Sequence, residues 1–245
     1  MWLLFLTTVQ AAEVTTNWKI DAPLLLGSSA FYFYLNGVQP RLIGTESNPS
    51  SIDSWVHPQW NPAYEDLSDF LGHPLSGKGL NGPALTTICM GLAMGIQSSN
   101  VNNGLQHSMI IMESIAINGL ITESLKLAIA RPRPFTSQKF QQTYPEAYSG
   151  DTVQHEIASW DAYKSFPSGH TSSAAATYFS TATLLANSTN NNSLKIVSYS
   201  SATLLTALTG WARVRYGMHH PSDVIAGGLL GGAIAFGTVQ FYLTR

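Results

Sequence analysis

Cations, histidines and turn residues cluster in three short blocks of the chain, each beside a predicted helix end. The first block runs from Lys126 to Pro134, and its cations Lys126 and Arg133 lie seven residues apart. Seven residues are about two helical turns, so helical geometry starts both side chains from one face. Pro132 and Pro134 end the helix near Ala130, which predicts an extended loop where the Arg133 guanidinium can hold an anion. Taken alone, such cations more often only complement a helix dipole.

The second block, Ser165–Ser173, stands directly before an alanine-rich helix. Ser168 and Gly169 lie where that helix begins, and the exposed backbone amides and positive dipole end there favour an anion. Gly169 also lets an oxyanion approach the main chain closely. A serine cap and a turn glycine explain these two residues structurally, but they give no reason for the adjoining His170.

The third block, Ala212–Asp223, leads into a glycine-rich final helix. His219 and Asp223 are four residues apart, so one helical turn can bring the carboxylate to the imidazole. Such contact would fix the tautomer and leave the other ring nitrogen free to attack. The structural alternative is an aspartate favoured by the helix dipole and a histidine in a junction loop.

Together the blocks read K-x6-R-P, P-S-G-H and R-x5-H-x3-D, in that order. This signature resembles that of the type 2 phosphatidic acid phosphatases, including bacterial acid phosphatases, and of the vanadium-dependent haloperoxidases. The resemblance covers residues 126–223 and is specific, since it fixes ten positions. It implies an all-α helical bundle with one oxyanion pocket.

The resemblance also implies a role for each matching residue. Lys126, Arg133 and Arg213 would hold the phosphoryl oxygens, assisted by Ser168 and the Gly169 backbone. His219 would attack phosphorus to form a phosphohistidine, Asp223 would orient it, and His170 would protonate the leaving oxygen and then activate water. Three fixed cations would replace a metal, so no cofactor is expected, and vanadate is expected only in a haloperoxidase. One departure is Ala212, where the family usually has serine.

Composition and periodicity predict the same class of fold. The chain has 245 residues, which is compatible with one domain, and it is 44% hydrophobic but only 11% charged. Apolar patterning predicts helices at about 84–98, 105–130, 170–187, 194–212 and 221–243, after an irregular or short-helical lead-in over 28–85. We therefore predict a single helical domain over 13–245, with a signal peptide or apolar anchor over 1–12.

Net charge and apolar segments indicate the partners and the location of the protein. The net charge of −2 offers no basic field for nucleic acid, so anion binding must be local. The apolar N-terminus predicts an extracytoplasmic, periplasmic or membrane-associated protein. The helix at 221–243 is long enough to cross a bilayer, whereas charges and hydroxyls make the helices at 105–130 and 170–187 poor lipid-facing segments. The lone Cys89 is expected to be a buried apolar thiol.

The predicted function is metal-independent hydrolysis of phosphate monoesters or diphosphates. The apolar helices favour a lipid-linked substrate, and a soluble phosphomonoester is left open. A vanadium haloperoxidase is the main alternative, because vanadate resembles a transferring phosphoryl group. A non-catalytic, phosphate-binding envelope protein is the third. Four further histidines lie outside the blocks and receive no role: His57, His73, His107 and His155.

Overall fold

The computed structural model describes residues 14–40, 51–54, 60–73, 75–76, 79–148 and 160–245. Residues 1–12, predicted as a signal peptide or anchor, lie outside these ranges. The described α-helices and strands are α1 (Trp18–Asn36), α2 (Ala63–Gly72), β1 (Leu75–Ser76), β2 (Gly79–Leu80), α3 (Gly82–Gln97), α4 (Val101–Ile129), α5 (Gln138–Thr143), α6 (Gly169–Asn187), α7 (Asn192–Arg215) and α8 (Pro221–Leu243). Short 3-10 helices span Ser51–Ser54, Pro134–Thr136, Pro145–Tyr148 and Trp160–Tyr163. The two strands form one short antiparallel pair. The predicted all-α bundle is confirmed, and its five predicted helices correspond to α3, α4, α6, α7 and α8.

Helix α1 was not predicted, because the lead-in was expected to be irregular or short-helical. It contains Pro23, and its apolar residues show almost no preference for one face. Leu24, Leu26, Phe31 and Phe33 are all exposed. A helix that is apolar around most of its circumference lacks the periodic pattern by which a half-buried helix is recognised.

Helix α6 lies at the centre of the bundle and packs against α2, α3, α4, α7 and α8. Ala174, Ala175 and Ala176 are fully buried, so small side chains let its neighbours come close. A Cβ added at Gly227 of α8 would lie 2.6 Å from the Ser168 carbonyl oxygen. Gly227 and Gly231 of the last helix therefore let its backbone approach α6 closely.

Much of the outer surface of the bundle is apolar. On α3 an exposed stripe with helical spacing consists of Leu85, Ile88, Leu92 and Ile96. Cys89 lies on this helix and is exposed, so the expectation of a buried thiol was wrong. The stretches Val101–Thr143 and Pro221–Leu243 contain helices long and apolar enough to cross a membrane. Apolar surface of this extent indicates association with a membrane.

Candidate active site

The first block places its two cations on either side of a helix end. Lys126 lies in the last turn of α4, and Ala130 ends the helix in a left-handed conformation with φ 47°. The chain then becomes extended, and Arg133 has φ −76° and ψ 156°. Its backbone N–H donates to the carbonyl of Ala162 at 2.8 Å. The proline-rich loop thus positions Arg133 as the sequence predicted.

Fixed acceptors orient the guanidinium of Arg133. Its Nε donates to the Asp161 carbonyl oxygen at 3.0 Å, its Nη1 donates to the Met218 carbonyl oxygen at 3.4 Å, and its Nη2 pairs with the Asp161 carboxylate. Burial by itself would raise the pKa of Asp161, but Arg133, Lys126 and Lys164 together lower it below the usual value. The carboxylate therefore stays charged and keeps Arg133 in place.

Two lysines share one buried carboxylate beside the pocket. Lys126 Nζ lies 2.6 Å from Glu123 Oε1, and Lys164 Nζ lies 3.5 Å from Glu123 Oε2. A Cβ added at Gly169 would lie 3.0 Å from Lys126 Nζ. The end of α4 therefore meets the start of α6, which brings the first and second blocks together.

Helix α6 begins as its sequence predicted. Ser168 is its N-cap residue, and its buried Oγ lies 3.5 Å from the Thr171 backbone nitrogen and 3.0 Å from Thr171 Oγ1. The serine N–H donates to the backbone carbonyl of Asp223 at 3.0 Å, which ties the second block to the third. Gly169, the first helical residue, lies at the end of α6 where the dipole favours an anion.

The orientation of His219 differs in one detail from the expectation. Its Nδ1 lies 2.8 Å from the Ser165 carbonyl oxygen and 3.7 Å from Asp223 Oδ2. Because a carbonyl can only accept, Nδ1 carries the proton and Nε2 holds the lone pair. The backbone of Ser165, rather than Asp223, therefore fixes the tautomer that leaves Nε2 free.

Asp223 organises the surroundings of His219. One carboxylate oxygen pairs with Arg131, and the other accepts from Ser165 Oγ at 2.6 Å and from the His220 N–H at 2.8 Å. Arg131 also pairs with Asp53 at 2.7 Å. The side chain of Asp223 thus caps α8 and holds Ser165, whose carbonyl in turn holds the imidazole.

The electrostatic setting of His219 favours its neutral form. The side chain is 2% exposed. Burial lowers the pKa of His219 well below its usual value, and the charges of Arg133, Arg213 and Lys126 lower it further. A neutral imidazole under the influence of three cations is chemically suited to attack an anionic phosphoryl group.

The other side of the pocket is built by α2, α6 and α7. Arg213 Nη1 lies 3.4 Å from Ser68 Oγ and 3.8 Å from Asp69 Oδ1. Its neighbour Ala212, where the family usually has serine, is fully buried. His170 Nε2 lies 3.0 Å from the same oxygen of Asp69. The structure thus brings the predicted site residues of all three blocks into one region.

Sequence reasoning missed several residues that support this region: Ser68, Asp69, Arg131, Asp161, Lys164 and Ser165. Arg131 and Ser165 lie within the quoted blocks, and Lys164 directly precedes the second. Asp69 lies in the lead-in, where no local pattern marks it. His73, to which no role was given, packs its ring 5.5 Å from that of His170. His57 and His155 lie outside the described residues.

Comparison with known proteins agrees with the resemblance seen in the three blocks. A family model described as the PAP2 superfamily matches residues 107–245. Lipid phosphate phosphatase 1 of Arabidopsis thaliana is 35% identical to the chain, over 56% of this chain and 46% of that protein. Lipid A 1-phosphatase of Rhizobium etli is 30% identical, over 54% of this chain and 49% of that protein. The chain spans about half the length of these curated relatives.

Among solved structures, the chain is similar to a transmembrane PAP2-type phosphatidylglycerolphosphate phosphatase from Bacillus subtilis. The TM-score is 0.54 with 20% identity, and the match covers 89% of this chain and 96% of that one. At that identity the likeness shows the fold alone.

Proposed function

The chain belongs to the PAP2 superfamily, and we propose that it is a phosphatase that hydrolyses lipid phosphate monoesters or diphosphates without a metal ion. One observation carries the proposal: the imidazole of His219 is buried close enough to Lys126, Arg133 and Arg213 for all three charges to lower its pKa. Fixed cations of this kind neutralise the oxygens of a transferring phosphoryl group. No nucleic acid partner is proposed.

The proposed reaction has two steps. In the first, Nε2 of His219 forms a bond to phosphorus, the bond from phosphorus to the leaving oxygen breaks, and His170 gives that oxygen a proton. In the second, water attacks the phosphohistidine, His170 takes the proton of the water, and inorganic phosphate leaves as the bond to Nε2 breaks. Lys126, Arg133 and Arg213, assisted by the Ser168 hydroxyl and the backbone amide of Gly169, hold the nonbridging oxygens in both steps.

An apolar groove beside the site supports a lipid substrate. The groove has a volume of about 480 Å³ and lies between α6, α7 and α8. It is lined by residues that include Thr171, Thr206, Gly210, Trp211, Val224 and Gly228. Thr171 directly follows His170 in the chain, and its hydroxyl lies 3.0 Å from Ser168 Oγ. We propose that this groove takes the hydrocarbon chain of the substrate while the phosphate lies among the cations.

We further propose that the bundle is embedded in a membrane with its active site on the extracytoplasmic side, periplasmic in a bacterial host. The two apolar stretches Val101–Thr143 and Pro221–Leu243 and the exposed apolar stripe on α3 support embedding. The apolar run at residues 1–12 supports the extracytoplasmic side, because such runs are typical of export signals. A membrane-impermeant thiol reagent tests the side: in the double variant Cys89→Ser, Lys139→Cys, the exposed position 139, six residues after Arg133, must react in intact cells. Protection until the cells are lysed would contradict the proposed side.

The decisive experiment measures phosphate release by purified protein from phosphatidate, a polyprenyl diphosphate, a lipid A phosphate and p-nitrophenyl phosphate. Chelator is present throughout, and His219→Ala is the control. Chelator-resistant release that the variant lacks supports the proposal and ranks the substrates. No release, but peroxide-dependent bromide oxidation with added vanadate, would identify a haloperoxidase. Phosphate binding without either activity would identify a binding protein.

A further inference from the structure

Asp69 forms an ion pair with His170, although it lies far outside the three sequence blocks. Its Oδ1 is 3.0 Å from His170 Nε2 and 3.8 Å from Arg213 Nη1. One carboxylate oxygen therefore lies between a histidine and a cation of the proposed phosphate pocket. Both side chains are largely buried, with 27% of Asp69 and 21% of His170 exposed.

The position of Asp69 is fixed by the docking of α2 on α6. A Cβ added at Gly72 would lie 2.6 Å from the His170 carbonyl oxygen, so α2 approaches the start of α6 as closely as a glycine allows. The Tyr178 hydroxyl of α6 donates to the Leu71 carbonyl at 2.8 Å, and the Asn81 side chain donates to the Asp69 carbonyl at 3.1 Å. The pair thus joins two rigidly packed elements.

We propose that Asp69 is a positioning residue that orients His170 and stabilises its protonated form during transfer of a proton to the leaving group. This inference rests on the proposed phosphatase function. The Nε2–H of His170 donates to Asp69, so Nδ1 is the nitrogen that gives its proton to the leaving oxygen and later takes one from water. No hydrogen bond among the described residues engages Nδ1.

The Asp69 carboxylate is needed to help His170 take up a proton, because the other groups around the imidazole disfavour its charged form. Burial and the charge of Arg213 lower the pKa of His170 to about 3, with a smaller contribution from His73, while Asp69 acts in the opposite direction. His219 faces the same pocket and is held neutral. A general acid must carry a proton when it acts, and among these neighbours only Asp69 favours the protonated imidazole. Removing its charge would leave His170 harder to protonate.

The leaving group provides a sharp test, because p-nitrophenolate departs without a proton whereas a lipid alkoxide needs one. We expect Asp69→Asn to lower kcat/KM for phosphatidate about tenfold or more, and kcat/KM for p-nitrophenyl phosphate less than about threefold. The high-pH limb of kcat for phosphatidate should move down by about one pH unit. Asp69→Glu should restore part of the loss.

Asp66→Asn is the matched control, because Asp66 is an exposed aspartate on the same helix. Asp66→Asn should leave kcat/KM unchanged for both substrates. Equal losses with both substrates in Asp69→Asn would mean a purely structural role, and a gain of activity would mean that Asp69 competes with substrate; either result overturns the proposal.

A second readout does not depend on turnover. If the wild type hydrolyses neither substrate, the phosphatase function fails, and NMR titration of labelled histidine still tests the pair. The His170 signal, assigned with His170→Ala, should titrate at a lower pH in Asp69→Asn than in the wild type. An unchanged titration would overturn the proposed pairing.

Discussion

The Nδ1 atom of His219 lies 2.8 Å from the backbone carbonyl oxygen of Ser165. A backbone acceptor cannot be protonated or removed by substituting a side chain, so the tautomer that leaves Nε2 free is secured by the fold itself. The carboxylate of Asp223 acts on His219 indirectly, through its hydrogen bond with Ser165 and its ion pair with Arg131. In the proposed mechanism, the residue that reacts is therefore distinct from the residues that position it.

The two histidines of the site should differ in importance. His219→Ala removes the proposed nucleophile, and we expect no measurable phosphate release above background. His170→Ala removes acid–base assistance worth roughly 10² to 10⁴ in rate, so some activity should remain. Single-turnover release from phosphatidate, with both variants checked for folding, measures the ranking. Equal loss in the two variants would contradict it.

Asp223→Asn should weaken folding as well as activity. Asp223 is fully buried and pairs with Arg131, and breaking a buried pair by removing one charge costs about 3–5 kcal/mol. We expect a lower thermal unfolding midpoint for Asp223→Asn and a similar decrease for Arg131→Met. Because both variants break the same network, their effects should not add in the double variant. A wild-type midpoint in either single variant would refute this role.

Activity should persist at moderately acidic pH. In the proposed mechanism His219 attacks only when neutral, and burial together with the charges of three cations lowers its pKa well below 6.5. A lowered pKa keeps the imidazole neutral at pH values where an exposed histidine is already protonated. The low-pH limb of kcat/KM for p-nitrophenyl phosphate should therefore lie below pH 6.5. A limb at or above the ordinary histidine value would show that His219 is not in this environment.

Filling the apolar groove should discriminate between lipid and soluble substrates. Gly228 lines the groove, so Gly228→Phe should lower kcat/KM for long-chain phosphatidate about tenfold or more, since about 1–3 kcal/mol of apolar contact is lost. Hydrolysis of p-nitrophenyl phosphate should stay within about twofold.

Gly237→Phe is the control for the groove. Gly237 lies on the same helix with open space around it and is not a groove residue. This variant should leave kcat/KM unchanged for both substrates. If Gly228→Phe changes kcat/KM for neither substrate, or lowers it equally for both, the hydrocarbon chain does not lie in this groove.

The class of fold and the residues of the candidate site could be predicted from the amino-acid sequence. Pro132 and Pro134 end α4 because proline lacks an N–H and restricts the preceding residue, so the loop that carries Arg133 was predictable from local rules. The start of α6 at Gly169 and of α8 at Pro221 follow from capping and turn residues in the same way. These features depend on neighbours in the chain, which a sequence shows directly.

The groups that hold His170 and His219 in place could be identified only from the folded structure. Asp69 lies 101 residues before His170, and no periodicity or cap links them. The sequence could not show that His219 Nδ1 bonds to the Ser165 carbonyl rather than to Asp223. The four-residue spacing between His219 and Asp223 allows contact but does not fix the rotation of the imidazole ring. Helix α1 was missed for a related reason, since a helix that is apolar on most sides has no period to read. Contacts of this kind arise from packing between distant segments, and that packing is a property of the folded chain rather than of any local stretch of it.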